Sequence, residues 1–370
     1  MISGRKEPLA NRRFRSKRTF DHAIGSVWFS EPVVRGDRRL DRRGAITALT
    51  AFGGLVVFSE ALGQRDGRIW RIGFLAARSQ STSSKPDVHY DAFVEGMRAL
   101  GYVQGKNLVI EWRFADGQYA RLPVLAAELV KLNVQVIATH GTECAVALKH
   151  ATSTIPIVFA PLTDPVGSGI VSNLARPGGN ITGFSNIFGD LARKQIELLT
   201  TLIPTLSRVA VLANPDNPST RGAVESIETA TDKSGMSVIR TEARTPAEIK
   251  QAFTSVSRNG AQAVVVVADS LFLAQRAQIA ELAITSRLAL MSSFPEEASA
   301  GSLISYGSDL VDGYRRLSTY VDKILQGAKP GDLPIQQPTT IRLAVNLKTA
   351  KALGITVPKE LLLRADDIIQ

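Results

Sequence analysis

The stretch from Ile155 to Gly183 constrains the fold of this chain more than any other. It begins with the apolar run Ile155-Pro-Ile-Val-Phe-Ala160 and continues into proline- and glycine-rich sequence with neither a helical nor a strand period. An apolar run that ends at such breakers is typical of a buried strand leaving a sheet. Strand-like and helix-like segments alternate before this stretch and again after it. We therefore expect one α/β lobe to end here and the chain to cross to a second lobe.

The first half of the chain predicts a parallel sheet. Its strand-like segments are residues 71–77, 108–114, 134–139 and 155–160, and its helix-like segments are residues 90–100, 122–132 and 144–150. This alternation indicates helices on both faces of the sheet. Ligands of such sheets bind beyond the carboxyl ends of the strands. The candidate binding loops are therefore residues 77–87, 139–143 and 161–167.

The second half repeats the alternation. Its strand-like segments are residues 207–213, 237–241, 263–268, 288–291, 303–306 and 340–346, and its helix-like segments are residues 191–202, 223–234, 246–258, 271–287, 310–326 and 347–353. The four valines within residues 263–268 predict a central strand. The predicted fold class is α/β, with two Rossmann-like lobes built on parallel sheets.

Two loops carry candidate binding groups. Gly141 allows a close turn and Thr142 is a good N-cap, so the free amides of the helix start could hold a carboxylate; Thr142 could equally do no more than cap its helix. Asp269 follows the valine-rich strand, where it could pair with a ligand ammonium group or cap the next helix. On the ligand hypothesis, Asp269→Ala weakens binding and leaves the melting temperature of the empty protein nearly unchanged.

Residue types that carry catalysis or bind metals are scarce. The single cysteine, Cys144, allows no internal disulfide and is expected in the core. Of the four histidines, no pair has the spacing of a zinc motif. No glycine-rich phosphate-binding turn follows the first strand, and no nucleophile–base pair is recognisable. We expect no metal, no cofactor and no enzymatic activity.

The positive charge is concentrated at the amino end. The net charge of the chain is +10. Residues 1–43 contain 12 Lys/Arg and 5 Asp/Glu, which leaves 32 Lys/Arg and 29 Asp/Glu in the remainder. The basic excess therefore belongs to a leader rather than to a folded surface, and we expect no binding to nucleic acid.

Residues 1–63 have the order of a secretory leader. Basic residues at 42–43 precede the apolar stretch 48–58, and the small residues Ala61 and Gly63 have the spacing of a signal-peptidase site. The apolar stretch is short for a membrane span, which needs about 20 residues. Arg42-Arg43 allows a twin-arginine route as well as a Sec route. We expect a disordered extension at 1–40 and cleavage after Gly63; an uncleaved membrane anchor and a buried helix at 45–58 are the alternatives.

Five motifs together resemble a known family. They are Asp164-Pro-Val-Gly167, Leu174-Ala-Arg-Pro-Gly-Gly-Asn-Ile-Thr-Gly183, Leu303-Ile-Ser-Tyr-Gly307, Asp332-Leu-Pro-Ile-Gln-Gln-Pro338 and Asn346-Leu-Lys-Thr-Ala-Lys-Ala-Leu-Gly354. In this order the chain is similar, over nearly all of residues 69–370, to substrate-binding proteins of ABC transporters of the tryptophan/tyrosine-type uptake family. The resemblance implies a type I periplasmic-binding-protein fold with two lobes, three crossovers and a ligand, often an aromatic amino acid, in the cleft.

The resemblance also implies site residues and lobe boundaries. Gly141-Thr142 matches the turn that holds the ligand carboxylate, and Asp269 matches an acidic residue that faces the ligand amine. The other cleft-facing positions are Asp164, Asn186, Asn214 and Tyr306. Ser79, in the candidate binding loop after the first strand, is a further candidate ligand-binding residue. The loop after the first strand lacks the Glu-His-Pro-like motif of amino-acid binders. The implied division is a leader at 1–63, lobe 1 at 69–184 plus about 304–328, and lobe 2 at 188–302 plus about 336–364.

The function expected from these features is that of a periplasmic binding protein. It would be a monomer that binds a small molecule, an amino acid or similar small acid, and delivers it to the membrane subunits of an ABC permease. The lobes would close on the ligand about a hinge. An α/β enzyme and the effector-binding domain of a regulator are the alternatives; the regulator would need a helix-turn-helix where residues 1–63 show a signal-like stretch.

Overall fold

The computed structural model describes residues 68–82, 86–186, 188–338 and 340–370, without the side chain of Phe188. These residues belong to one compact unit, Gln64–Gln370. The predicted leader at 1–63 lies outside the described residues. Within the described residues, no helix combines the length and the apolar character that crossing a bilayer requires.

Lobe 1 is built on a five-stranded parallel sheet. Its strands are β1 (Trp70–Ala76), β2 (Leu108–Phe114), β3 (Val136–His140), β4 (Ile157–Leu162) and β5 (Ile181–Ser185), and its helices are α1 (Val88–Ala99), α2 (Leu122–Lys131) and α3 (Thr142–Ala151). The strand order is β2-β1-β3-β4-β5. Because every strand runs in the same direction, the carboxyl ends of β1, β3 and β4 meet at one edge of the sheet.

Lobe 2 is built on a seven-stranded sheet. Its chain contains α4 (Phe188–Leu202), β6 (Arg208–Ala213), α5 (Thr220–Asp232), β7 (Ser237–Glu242), α6 (Pro246–Arg258), β8 (Ala263–Val266), α7 (Ser270–Ala274), α8 (Arg276–Thr285), β9 (Ala289–Ser292), α9 (Pro295–Ser299) and β10 (Ile304–Ser308). After α10 (Leu310–Leu325), the carboxyl-terminal part adds β11 (Ile341–Asn346), α11 (Leu347–Leu353), α12 (Lys359–Leu362) and β12 (Asp367–Ile369). The order is β12-β11-β10-β9-β8-β6-β7. Only the β10–β11 pair is antiparallel among the described strands. The predicted valine-rich strand, β8, lies between β9 and β6 and is internal as expected.

The chain crosses between the lobes three times. It leaves lobe 1 between β5 and α4, returns between β10 and α10, and leaves again between α10 and β11. Helix α10 packs on α1 and β4 of lobe 1, whereas β10 pairs with β9 and β11 in lobe 2. The predicted placement of the strand at about 304 in lobe 1 is therefore wrong in this detail, because β10 completes its backbone hydrogen bonds in the second sheet before the chain crosses.

Two short elements differ from the sequence prediction. The sequence predicts irregular structure for the motif that ends at Gly183, but Ile181–Ser185 forms β5 at the edge of the first sheet. It shows no helical pattern in residues 294–301, but Pro295–Ser299 forms α9. Both are too short to show a period of their own, and each is held by a neighbour: β5 pairs with β4, and α9 packs on β10 and β11.

The apolar core is divided between the lobes and continues across the gap. Each sheet buries apolar side chains on both faces, as expected for parallel strands covered by helices. Leu273 and Phe294 of lobe 2 belong to the same buried apolar cluster as Phe74 and other core residues of lobe 1. Cys144 is buried in lobe 1, as predicted. The lobes thus touch through apolar contacts as well as polar ones.

The packing of α1 on α10 requires a small residue at Gly96. A Cβ there would lie 2.5 Å from Ser318 Oγ and 3.0 Å from the carbonyl oxygen of Arg315. We expect Gly96→Ala to destabilise the protein by about 1–3 kcal/mol, because the helices must move apart. At Gly189, near the start of α4, an added Cβ would have no atom within 4 Å. Gly189→Ala is therefore the matched control, and we expect it to change the free energy of unfolding by less than about 1 kcal/mol. Urea unfolding of the two variants measures this; equal stabilities would contradict it.

Candidate functional site

The carboxyl ends of the two sheets face each other and are joined by side chains. The hydroxyl of Tyr119, from lobe 1, donates to the carboxylate of Asp269, from lobe 2, at 3.0 Å. The Thr142 hydroxyl of lobe 1 lies 3.4 Å from Ser219 Oγ of lobe 2. These contacts hold the lobes together in a closed arrangement, with the loops after the strands buried between them.

Asp269 is the polar centre of this interface. It precedes α7 as its N-cap and accepts the Leu271 amide at 2.9 Å. Its carboxylate also accepts from Asn217 at 2.9 Å and from Asn214 at 3.3 Å, besides Tyr119. Burial raises the pKa of Asp269, and these hydrogen bonds lower it in part. The capping role weighed from the sequence is thus present, and a ligand role stays a prediction.

The dense bonding of Asp269 changes one expectation from the sequence. Replacing a buried acceptor of four donor groups with Ala leaves the two asparagine amides and the tyrosine hydroxyl without their partner, and loss of an N-cap alone costs about 0.5–2 kcal/mol. An unchanged melting temperature of Asp269→Ala is therefore not expected. A binding assay of any Asp269 variant has to be made on protein shown to be folded.

The turn at Gly141 has an unexpected feature. Helix α3 begins at Thr142, and Gly141 itself is the N-cap, with φ of +97° and no capping side chain. The predicted N-cap role of Thr142 is therefore wrong: its hydroxyl bonds to the Thr163 carbonyl and lies beside Ser219. The next residue, Glu143, folds its carboxylate back over Gly141, so that a Cβ on Gly141 would collide with Glu143 Oε1.

Glu143 is a buried carboxyl without a regular hydrogen bond. Its side chain is 5% exposed, and neither carboxyl oxygen has a partner. Burial and the negative charge of Asp269 raise the pKa of Glu143 to about 8, although Ser270 Oγ and its own amide, the nearest donors, act to lower it. Burial, Asp269 and Glu143 also raise the pKa of Tyr119. Two carboxyl groups and a phenol therefore share one small, poorly solvated space.

Two of the interlobe cavities lie beside the loop that carries Asp269 and Ser270. The smaller encloses about 20 Å³ between Glu143, Asn217 and Asp269, room for about one water molecule. The larger encloses about 230 Å³ and is lined from lobe 1 by residues that include Arg78 and from lobe 2 by residues that include Arg244. Ser270 lines both cavities, so a ligand that reached Glu143 and extended past Ser270 would contact both lobes.

A second polar cluster, beside the larger cavity, also joins the lobes. Buried Arg78 forms an ion pair with Asp87 at 2.6 Å and donates to Tyr314. His89 lies between Asp87, at 3.1 Å, and Glu296 of lobe 2, at 3.0 Å. Burial acts to lower the pKa of His89, but its bonds to these two carboxylates raise it above the ordinary value. The Arg78 charge is therefore already balanced within the protein.

Most of the chain matches a known protein family. The family described as ABC transporter substrate binding protein matches residues 83–369. The chain belongs to this family. Its members are extracytoplasmic proteins that bind small molecules and deliver them to ABC permeases, and they are not a family of enzymes. The type I periplasmic-binding-protein fold predicted from the sequence is confirmed by this architecture and by its structural neighbours.

Relatives of this substrate-binding protein include binders of aromatic amino acids. A tyrosine-binding protein of Clostridioides difficile strain R20291 is 27% identical over 264 residues, which cover 71% of this chain and 75% of that protein. The structure of an ABC domain in complex with L-Trp from Streptococcus pneumonia is 25% identical, with a TM-score of 0.75 over 81% of this chain and 100% of that one. A conserved domain protein from Vibrio cholerae is 26% identical, with a TM-score of 0.76 and the same two coverages.

The structure brings five of the eight predicted site residues together. Gly141, Thr142, Asn186 and Asp269 line the smaller cavity, and Asn214 supports Asp269 from behind. Asn186 is also part of the hinge, because its side chain accepts from Ser308 and so links two of the crossings.

The other three predicted residues lie elsewhere. Ser79 lines the larger cavity. Asp164 holds its own turn by accepting the Gly167 amide, and it lines two further cavities, of about 530 and 690 Å³, that are also lined by Gly222 of lobe 2. Tyr306 lies on β10 and packs against the lobe 2 core, so it lines neither of the cavities beside Asp269.

Several residues of the interface were not singled out from the sequence. Asn217 lies in the polar turn after β6, three residues from the predicted Asn214, so its amide could have been proposed. Glu143 directly follows the predicted turn Gly141-Thr142, and an acidic residue in the first turn of a helix at this place could have been proposed as a site residue. Tyr119 gave no signal, because a short 3₁₀ helix, Tyr119–Arg121, carries it across.

The raised pKa of Glu143 gives a testable pH dependence. A carboxyl whose folded pKa lies above its ordinary value of 4.5 stabilises the fold below about pH 4.5 and loses that contribution as the pH rises through about 8. Glu143→Gln has no such loss, so we expect its melting temperature to exceed that of the wild type by roughly 3 °C or more at pH 8.5. The difference should shrink towards pH 5.

The control for this measurement is Glu128→Gln. Glu128 pairs with Arg113 on the surface of lobe 1 and is 44% exposed, so its loss is expected to change the melting temperature little at either pH. Differential scanning calorimetry of the three proteins at pH 5 and 8.5 makes the comparison. A lower melting temperature of Glu143→Gln at pH 8.5 would show that Glu143 is ionised and well paired in the empty protein.

Proposed function

We propose that this family member is a monomeric periplasmic binding protein whose ligand carries a protonated amino group and is held in the interlobe cleft. Amino acids are the ligand class of two relatives by their printed descriptions, tyrosine in one and L-Trp in the other. A closed complex delivers the ligand to the membrane subunits of its ABC permease. Closure is favoured because both lobes contact the ligand.

One observation carries the amine part of this proposal. Glu143 of lobe 1 and Asp269 of lobe 2 place two carboxyl groups at the same small cavity. The charge of Asp269 raises the pKa of Glu143, and both carboxyl groups raise the pKa of Tyr119. A protonated amine between them would neutralise charge, supply hydrogen bonds to Glu143 and connect the lobes. The same contacts would be lost when the lobes open, which is the condition for a ligand to favour closure.

Export is proposed through the leader at residues 1–63. Its basic, apolar and small-residue segments follow the order of a signal peptide, by a Sec or a twin-arginine route. An uncleaved leader would instead anchor the protein to the membrane.

The test of ligand class is a thermal-shift screen of residues 64–370 with L-amino acids, aliphatic and aromatic amines, sugars and carboxylic acids. We expect compounds with an amino group to raise the melting temperature, and expect Asp269→Asn to weaken the best of them at least tenfold by calorimetry. Tyr306→Phe is the control, since Tyr306 lines neither cavity, and should bind as the wild type does. Stabilisation by sugars or acids alone would contradict the proposal.

The test of export is the amino-terminal sequence of the mature protein. Expression in a Gram-negative host and extraction of the periplasm should yield a chain that starts at residue 64, because Gly63 ends the small-residue pair of the cleavage site. The control is Ala61→Lys, which removes one small residue of that pair and should leave the precursor uncut. A mature protein that starts before Arg42 would rule out the proposed signal.

A further inference from the structure

The start of α3 is an anion-binding position that is already in use. The amino-terminal end of a helix as long as α3 offers free backbone amides and the positive end of the helix dipole, and both suit a ligand carboxylate. Here Glu143 places its own carboxylate over Gly141, in contact with its own amide. A ligand carboxylate at the same place would collide with Glu143 or lie against its charge.

We propose that the cleft of this protein selects a primary amine that has no carboxylate on the carbon next to the nitrogen, with the ammonium group between Glu143 and Asp269. The inference rests on the proposed function, since it concerns the same interlobe site, and it narrows the ligand from amino acids to amines. Its basis is the position of Glu143 and the lack of a partner for either of its oxygens.

Glu143 is incompletely hydrogen-bonded. It is 5% exposed and lines the smaller cavity, and the two donors that lower its pKa, Ser270 Oγ and its own amide, form no hydrogen bond of regular geometry with it. Asp269, by contrast, is fully bonded by Tyr119, Asn214, Asn217 and its own helix. An ammonium group has three N–H donors and no acceptor, so it can donate to Glu143 and to the Tyr119 oxygen, while its charge offsets that of the nearby Asp269.

The surrounding residues favour an amine over a metal ion. Across the described part of the chain, no group of three or more His, Cys, Asp and Glu is arranged to hold a metal. The neighbours of the two carboxyl groups are amide and hydroxyl groups, and Asn217 already donates to Asp269. Two carboxylates and a phenol oxygen suit the charge and the three donors of an ammonium group.

Among the described residues of lobe 1, the cation beside the two carboxyl groups is already paired. Arg78 is the closest candidate from lobe 1, but it is 6% exposed and forms an ion pair with Asp87 at 2.6 Å. Arg244 and Arg276 line the larger cavity, which shares Ser270 with the smaller one, so they suit a group at the other end of a ligand that enters both cavities. An acid at the distal end is therefore compatible with the site, whereas one beside the amine is not.

The experiment uses pairs of probes that differ only in the carboxylate: tyramine with L-tyrosine, tryptamine with L-tryptophan, and agmatine with L-arginine. Calorimetry at pH 7.5 is expected to show at least one amine binding wild-type protein ten or more times tighter than its amino acid. Glu143→Ala uncovers the amides of α3, so in this variant the preference for that amine should fall at least tenfold. Glu128→Gln, on the surface of lobe 1, should keep the wild-type preference.

The outcomes separate this inference from the proposed function. If L-amino acids bind wild-type protein more tightly than their amines and Glu143→Ala does not change the order, the inference fails and an amino-acid-binding protein remains. If neither member of any pair binds, both the inference and the amine part of the proposed function fail. Circular dichroism and the melting temperature of Glu143→Ala show whether it is folded, and Glu143→Gln, which keeps the side-chain volume, replaces it if it is not.

Discussion

The closed structure depends on one buried carboxylate, that of Asp269. Asp269 is the N-cap of α7 and accepts hydrogen bonds from the two asparagines of the turn after β6. It also accepts a hydrogen bond from the Tyr119 hydroxyl of lobe 1. A buried charge is costly unless its hydrogen bonds are complete, and here they are completed only when lobe 1 is in place. The orientation of the two lobes is therefore coupled to the solvation of a single side chain.

Glu143 and Asp269 have the same chemistry and opposite surroundings. Asp269 has a full set of donors, while Glu143, on the facing lobe, has none of regular geometry. The low polarity that makes an unpaired carboxyl expensive also makes an opposite charge placed beside it strongly bound. Incomplete bonding in the empty protein is thus a means of reserving binding energy for a ligand, at some cost in the stability of the empty closed form.

The sequence predicted the framework well and the site in part. Strand ends could be placed within one or two residues, because valine-rich runs stop at polar turns, and this was enough to bring Gly141 and Asp269 to the same interface. Motif position predicts that Asp164 and Tyr306 face the cleft; Asp164 lines interlobe cavities away from Asp269, whereas Tyr306 packs against the lobe 2 core. A sequence motif predicts the course of the backbone, but it does not predict which cavity or core a side chain contacts once the lobes have closed.

The residue pattern alone predicts the alternation of strands and helices, two parallel-dominated sheets whose carboxyl ends carry the binding loops, and the likeness to a family of transport proteins. Three features follow only from the folded molecule: β10 stays in lobe 2 while α10 crosses to lobe 1, Tyr119 reaches Asp269 some 150 residues away, and Glu143 covers its own helix start. Local patterns report the preferences of neighbouring residues, whereas these three features arise from contacts between segments distant in the chain or from the direction of one side chain, which no local pattern records.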